Sequence, residues 1–260
     1  MVNVDYSKAY NYIRERILSG EYPSGYALRA DKLAKEIGMS RTPVRDALRQ
    51  LNSDGLVSIH PRMGASVRSI DVDEFSEICG MRMALEVYAV GLAARLRTDS
   101  DLKEIAHSHE AVAQEIERLI AVSEPDSHPL AGLTSELLVR EDVRFHLAIT
   151  NASRNRLIKK EIIRHHLLNR IVSVSSMLAS EPFLPANRVE AVAYARATVT
   201  EHKLILDAIS RKDSAVAKNA MEMHLQSDVD AMLRRLSRGE SVQVTGSAPL
   251  YSPAPAAADT

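Results

Sequence analysis

From Asp71 onward the apolar residues recur at helical spacing almost without a break, and this periodicity leaves few folds open to the chain. Short turn-rich stretches separate six such segments. Aromatic residues make up only 4% of the 260 residues, with no Trp, which favours helices packed through aliphatic side chains over a β-sandwich or barrel. We therefore expect a mainly α protein whose larger part is an antiparallel helical bundle. Its helices are predicted at 73–97, 100–121, 134–151, 155–180, 188–210 and 213–237, the last capped by Asp213.

The first 70 residues have a different pattern, with three short helices followed by two strands. An amphipathic helix is predicted over 6–19, a second helix stops at Gly38, and a third begins near Pro43. Two alternating segments, 56–59 and 65–70, flank a tight turn. This order of elements is that of a winged helix-turn-helix.

Positive charge is concentrated in this N-terminal part. Residues 1–70 hold 11 Lys and Arg against 7 Asp and Glu, although the whole chain has a formal net charge of −1. Arg41, Arg45 and Arg49 are four residues apart and so lie on one face of the third helix. An arginine stripe alone is often only solvated. On the second helix of a helix-turn-helix, however, it predicts contact with double-stranded DNA, because guanidinium groups pair with guanine in the major groove.

A longer string supports this interpretation. Residues 38–48, Gly-Met-Ser-Arg-Thr-Pro-Val-Arg-Asp-Ala-Leu, together with 54–57 and 64–67, resemble the DNA-binding domain of the GntR transcription regulators. By position, the resemblance implies DNA contacts by Ser40, Arg41, Thr42, Pro43, Arg45, Arg49 and Gly64. To these we add Arg62, because it lies at the tip of the predicted wing.

The helical part contains a candidate metal site. Asp142 and His146 are four residues apart and share a helix face, while His202 and His224 lie within two later helices. An ionised Asp in an apolar bundle needs a partner, and three imidazoles with one carboxylate suit Zn²⁺, Ni²⁺, Co²⁺, Fe²⁺ or Mn²⁺. Taken one by one, such histidines are more often hydrogen-bonded core or surface groups. The adjacent His165 and His166 fit no ligand spacing and are expected to be ordinary helix residues.

A second resemblance bears on this site. Residues 142–146, 151–155, 201–209 and 221–225 resemble the all-helical FCD-type effector domain of the FadR-like branch, and in particular its metal-binding members. The resemblance implies that Asp142, His146, His202 and His224 bind a divalent ion, with Zn the first choice, and that a small organic acid completes its coordination. It also aligns Arg82 with an arginine that would clasp the acid. An ion pair between Arg82 and Glu86, four residues on, is the competing interpretation.

Together these patterns predict a homodimeric, ligand-responsive transcription regulator that binds a pseudo-palindromic operator and is not an enzyme. We expect a winged helix-turn-helix domain over 1–70, an effector-binding and dimerisation domain over 71–237, and a disordered tail over 238–260. No apolar run approaches 18 residues, and the N-terminus lacks a basic-then-apolar signal. A single cysteine, Cys79, excludes an intramolecular disulfide framework. These features predict a cytoplasmic protein that does not interact with membranes.

Three other functions stay open on the sequence. A metallohydrolase with an attached DNA-binding domain could use an open coordination position to activate water. A metal-free sensor of acyl-CoA type is known in the same branch. A metal-responsive switch, in which the ion itself is the signal, would need no organic acid.

Overall fold

The computed structural model describes residues 4–61, 64–122, 136–178 and 188–239, and it confirms the predicted fold class. Within these ranges, helices and a small sheet form the N-terminal part, and six helices follow it. The elements are α1 (Val4–Ser19), β1 (Ala27–Leu28), α2 (Ala30–Ile37), α3 (Arg41–Ser53), β2 (Val57–His60), β3 (Gly64–Val67), α4 (Val72–Leu96), α5 (Asp99–Val122), α6 (Glu136–Ala152), α7 (Arg156–Leu178), α8 (Arg188–Ser210) and α9 (Ser214–Gly239).

The N-terminal part is a helix-turn-helix with a three-stranded antiparallel sheet in the order β1-β3-β2. Gly38 ends α2 with a φ of 74°, a left-handed conformation that glycine adopts without a steric penalty. The turn to α3 is therefore short. On the sheet, Val57 pairs with Val67 and His60 with Gly64, so the pairing of β2 with β3 extends to His60 and Gly64.

The core of this part includes residues from the helical part. Ile13 and Leu51 are completely buried among the side chains of α1, α2, α3 and the sheet. The same cluster contains Ile78 from α4 and Leu168 and Ile171 from α7. In addition, Arg170 Nε donates a hydrogen bond to the backbone oxygen of Leu18 at 3.0 Å. The two parts of the chain therefore share one apolar interior along α7.

The six C-terminal helices form a bundle in which α4 packs against α6, α7, α8 and α9. Small residues bring α4 and α9 together. A Cβ on Gly91 would lie 2.3 Å from Cε of Lys218, and Ser214 Oγ donates to the Gly91 backbone oxygen at 3.0 Å. The predicted cap of α9 is confirmed, because Asp213 Oδ1 accepts from the backbone nitrogens of residues 215 and 216.

Some boundaries differ from the sequence-based prediction. Strand β3 ends at Val67 rather than at residue 70, because only residues up to Val67 pair with β2. Strand β1 was not predicted, since two residues are too few to show alternation. Helix α9 continues to Gly239, and the rest of the predicted tail lies outside the described residues. Within the described ranges, no helix has both the length and the apolar character needed to cross a membrane.

Candidate functional site

The exposed face of α3 carries the predicted DNA-contacting arginines. Arg41, Arg45 and Arg49 are all exposed, while Val44 and Leu48 on the opposite face are buried in the core. Arg49 Nη1 donates to Asp46 at 2.8 Å in a pair that is itself exposed, so solvent weakens it. The helix thus presents a row of guanidinium groups on a rigid support.

The other residues predicted to contact DNA fall into three groups. Ser40 and Thr42 are exposed at the start of α3, and the Ser40 hydroxyl makes no capping hydrogen bond there. Gly64 is exposed, with a φ of 95° that favours glycine. Pro43, in contrast, is buried within the first turn of α3, so less of it is exposed than of Ser40 and Thr42, and its contact with DNA stays a prediction. Arg62 lies outside the described residues.

Three of the predicted metal ligands converge in the bundle. His146 of α6, His202 of α8 and His224 of α9 are 0–1% exposed, and we call these three residues the histidine cluster. His224 Nε2 lies 3.2 Å from Nε2 of His202 and 3.2 Å from Nε2 of His146. Phe145 stacks on the His202 ring with centroids 4.0 Å apart. These three histidines are far apart in the chain, and each directs its Nε2 atom towards one point.

Asp142, the fourth predicted ligand, lies at the edge of the cluster. Its Oδ1 is 3.5 Å from His202 Nε2. The side chain is 31% exposed, because it lines a cavity rather than the packed core. The apolar surroundings expected for this carboxylate are thus only partly present, and solvent reduces the cost of its charge.

Two carboxylates without a predicted role at the metal site fix the orientation of the cluster. Glu86 Oε2 of α4 lies 2.5 Å from His146 Nδ1, and Glu201 Oε2 of α8 lies 2.9 Å from His224 Nδ1. Each carboxylate accepts the Nδ1 proton, which leaves the Nε2 lone pair of that ring for the cluster centre. Glu201 is further held by the Ser227 hydroxyl, which donates to Oε1 at 3.1 Å.

The donor set fits a divalent ion. Two imidazole nitrogens bound to one ion at about 2.0–2.1 Å lie about 2.9–3.4 Å apart for bond angles of 90–109°. The Nε2 separations of 3.2 Å fall within this range. Carboxylates behind the metal-facing rings are a common arrangement in metal centres, because they raise the basicity of the imidazole.

The pKa values of His202 and His224 are shifted in opposite directions by their surroundings. Burial, followed by the neighbouring His224 and His146, holds the pKa of His202 well below its usual value. Burial also lowers the pKa of His224, but the charge of Asp228 and the hydrogen bond to Glu201 outweigh it, so the pKa is raised overall. Of these two histidines, His224 is therefore the one that binds a proton more readily, and a metal ion would compete with that proton.

Arg82 forms an ion pair with Glu86, which was the alternative to its predicted role in binding an acid. Its Nε donates to Glu86 Oε1 at 2.6 Å, and both side chains are buried. Burial alone would raise the pKa of Glu86, but Arg82 and His146 hold it well below its ordinary value. Among the described residues, Arg82 Nη2 has no hydrogen-bond partner although it is buried, and the side chain lines the cavity. The guanidinium therefore keeps a donor for a ligand while it pairs with Glu86.

The cavity beside the cluster has a volume of about 870 Å³. Arg82, Asp142 and His166 line it on the bundle side, and Arg14 and Leu18 of α1 line it on the side of the helix-turn-helix. A ligand in this space would touch both parts of the chain.

Two further groups at the site were missed from the sequence. His166, expected to be an ordinary helix residue, has Nε2 3.4 Å from Glu86 Oε1 and its ring centroid 5.5 Å from that of His146. Asp228 lies one helical turn after His224. The contacts of His166 run between helices, so spacing along one helix does not reveal them. Asp228, however, lies four residues after His224, the spacing that also joins Asp142 and His146, and could have been found from it. His165, whose Nδ1 lies 3.2 Å from the Ile78 backbone oxygen, has the ordinary structural role expected of it.

Comparison with known families gives this architecture a context. Residues 5–67 match the gntR family of bacterial regulatory proteins, and residues 77–227 match the FCD domain. The chain belongs to the GntR family. It is a transcriptional regulator with a DNA-binding helix-turn-helix and an FCD effector domain.

Relatives of this regulator span nearly its whole length. The uncharacterized HTH-type transcriptional regulator YdhC of Bacillus subtilis is 26% identical over 235 residues, which are 90% of this chain and 94% of YdhC. LutR of the same organism is 27% identical over 234 residues, 83% of this chain and 95% of LutR. The solved structure of Escherichia coli McbR/YncC has a TM-score of 0.68 at 24% identity and covers 90% of this chain and 98% of that one, which shows the shared fold.

Proposed function

We propose that this GntR regulator senses a small organic acid at a divalent metal ion held by Asp142, His146, His202 and His224. The observation that carries the proposal is the convergence of three buried Nε2 atoms, with that of His224 3.2 Å from each of the other two, and with Nδ1 of His146 and of His224 bonded to a carboxylate. Three neutral imidazoles and one carboxylate would leave a divalent ion with positive charge and open positions. Such an ion supplies an attachment point for the carboxylate of the ligand.

Arg82 is proposed to bind the acid directly. Its Nη2 is buried without a hydrogen-bond partner among the described residues, and an unsatisfied buried donor costs about 1–3 kcal/mol. A carboxylate oxygen from a ligand would satisfy it, and Glu86 keeps the guanidinium in place. The pairing of Arg82 with Glu86 thus positions the group that recognises the acid.

We further propose that two copies bind a pseudo-palindromic operator through α3, with Ser40, Arg41, Thr42, Arg45, Arg49 and Gly64 at the interface. The exposed arginine row on α3 supports this docking. Met81 and Tyr88, two turns apart on α4, are 56% and 51% exposed and offer an apolar surface to a second copy. The acid would alter DNA binding in proportion to its differential affinity for the two states of the dimer.

A thermal-shift screen of carboxylates, with and without a chelator, tests the sensing proposal. Sugar acids, hydroxy acids and dicarboxylates are the compounds to compare. We expect at least one to raise the midpoint of unfolding of the metal-loaded protein, and we expect this rise to vanish when the ion is removed. A rise that survives chelation would contradict the metal-held acid and favour a metal-free sensor.

Two histidine variants provide the matched comparison. His202→Gln removes a predicted ligand from the cluster, whereas His107→Gln changes an exposed histidine of α5. Elemental analysis should find about one metal ion per chain in the wild type and in His107→Gln, and much less in His202→Gln. Equal metal content in all three proteins would refute the assignment.

A further inference from the structure

Asp228 is an acidic residue close to the metal centre that the four-ligand assignment does not use. It lies on α9 one turn after His224, and its Oδ2 is 3.8 Å from His224 Nε2. This is the same ring nitrogen that points to the centre of the histidine cluster. One carboxylate oxygen therefore already lies beside the place where an ion would sit.

The other oxygen of Asp228 is held in position. The hydroxyl of Tyr194 on α8 donates to Asp228 Oδ1 at 3.0 Å, so Oδ2 is the oxygen directed towards the cluster. Within the described ranges, the ion pair of Asp228 is with His224, since Arg82 pairs with Glu86 and acts on Asp228 only at longer range. Asp228 thus adds a negative charge beside the place where a cation would sit.

We infer that Asp228 is a fifth side-chain donor of the metal centre, which makes the site one of three imidazoles and two carboxylates. The inference rests on the metal site proposed above. Asp142 Oδ1 is 3.5 Å from His202 Nε2, and Asp228 Oδ2 is 3.8 Å from His224 Nε2, so the two carboxylates approach different members of the cluster. Five donors exceed the four that Zn²⁺ usually takes and suit an ion of higher coordination number, such as Mn²⁺, Fe²⁺, Co²⁺ or Ni²⁺.

A fifth donor also changes how the acid is recognised. Two carboxylates neutralise a divalent ion, so the ion attracts an anionic ligand less than a site with one carboxylate would. Arg82 Nη2 is a buried donor without a hydrogen-bond partner among the described residues, and Arg82 lines the cavity together with Arg140 and Arg170 from the bundle. Discrimination in favour of acids would rest on Arg82 and on the one coordination position that stays open.

Cobalt is the probe for this inference, because the visible bands of Co²⁺ are intense in four-coordinate sites and weak in six-coordinate ones. Co²⁺ would be titrated into the metal-free full-length protein, followed by absorption and by calorimetry. The wild type should bind about one Co²⁺ with weak bands. Asp228→Asn should bind it at least about tenfold more weakly and with more intense bands, as one donor is lost.

Asp230→Asn is the matched control. Asp230 lies two residues further along α9, and its Oδ1 accepts from Gln226 Nε2 at 2.7 Å. This variant should bind Co²⁺ with the affinity and spectrum of the wild type. Tyr194→Phe, which frees Asp228 Oδ1, should lie between the wild type and Asp228→Asn.

Each result has a distinct meaning. Intense four-coordinate bands in the wild type, or an unchanged affinity and spectrum in Asp228→Asn, would overturn the role of Asp228 and leave the four-ligand site intact. A wild-type protein that binds no Co²⁺ would overturn both the inference and the proposed metal site. Intense wild-type bands would overturn the inference even when Asp228→Asn does not fold.

Discussion

Replacement of Glu86 by Gln tests the charge arrangement beneath the histidine cluster. Glu86 is 2% exposed, and its two oxygens meet Arg82 Nε at 2.6 Å and His146 Nδ1 at 2.5 Å. The glutamine has the same shape but no charge, so Arg82 keeps a buried charge without its partner. Loss of one member of a buried ion pair costs about 3–5 kcal/mol.

The assay is denaturant and thermal unfolding of the metal-free protein in chelator, so that loss of an ion does not contribute. For a protein of this size, about 3–5 kcal/mol corresponds to a fall in Tm of about 6–20 °C. The control is Glu117→Gln, which breaks an exposed pair with Arg196 and should not change Tm measurably. The double variant Arg82→Met/Glu86→Gln removes the unpaired charge and should regain part of the lost stability.

Two results would refute this reasoning. A loss below about 1 kcal/mol in Glu86→Gln would mean that other carboxylates near Arg82 replace Glu86. A double variant no more stable than Glu86→Gln would mean that the loss came from packing rather than from the buried charge.

Three further outcomes follow from the structure. Arg45→Ala should abolish specific operator binding in an anisotropy titration with its metal content unchanged, and specific binding that persists would contradict the role of α3. Gly80→Ala on α4 has open space and should raise the free energy of unfolding by about 0.5–1 kcal/mol. Gly91→Ala on the same helix should lack this gain, because its methyl group would lie 3.1 Å from Lys218 Cγ and Ser214 Oγ and would displace the end of Lys218; equal effects in denaturant titrations would disprove the close contact. Metal affinity should fall by about tenfold per pH unit below the raised pKa of His224, because the ion competes with a proton on that ring. Calorimetry in buffers of different ionisation enthalpy should detect the release of this proton. An affinity that does not change with pH would contradict the role of His224 as a ligand.

The sequence predicted those features that depend on neighbours along the chain. The ends of the helices follow from Gly38 and Asp213, whose local chemistry stops or starts a helix wherever it occurs. The Asp142/His146 pair could likewise be placed on one face from its spacing alone. The contact of Glu86, 60 residues from His146 in the chain, could not, because it depends on how each helix is rotated about its axis in the bundle. Asp228 has the same spacing from His224 and could have been found in the same way. A motif can also mislead about exposure. The motif predicted that Pro43 contacts DNA, but it does not show that Pro43 is buried by packing inside the domain.

Helix α7 sets a condition on how any signal reaches DNA. Ile78, Leu168 and Ile171 are at most 8% exposed in the core of the N-terminal part, and each large apolar side chain contributes about 1.5–3 kcal/mol when buried. If the DNA-binding part moved independently of the helical bundle, these side chains would lose their burial. A small slide or rotation of α7 keeps the burial and carries the Arg170–Leu18 link with it. Because of this burial, a fragment that ends near residue 70 would expose an apolar surface. The intact regulator should unfold in a single cooperative transition.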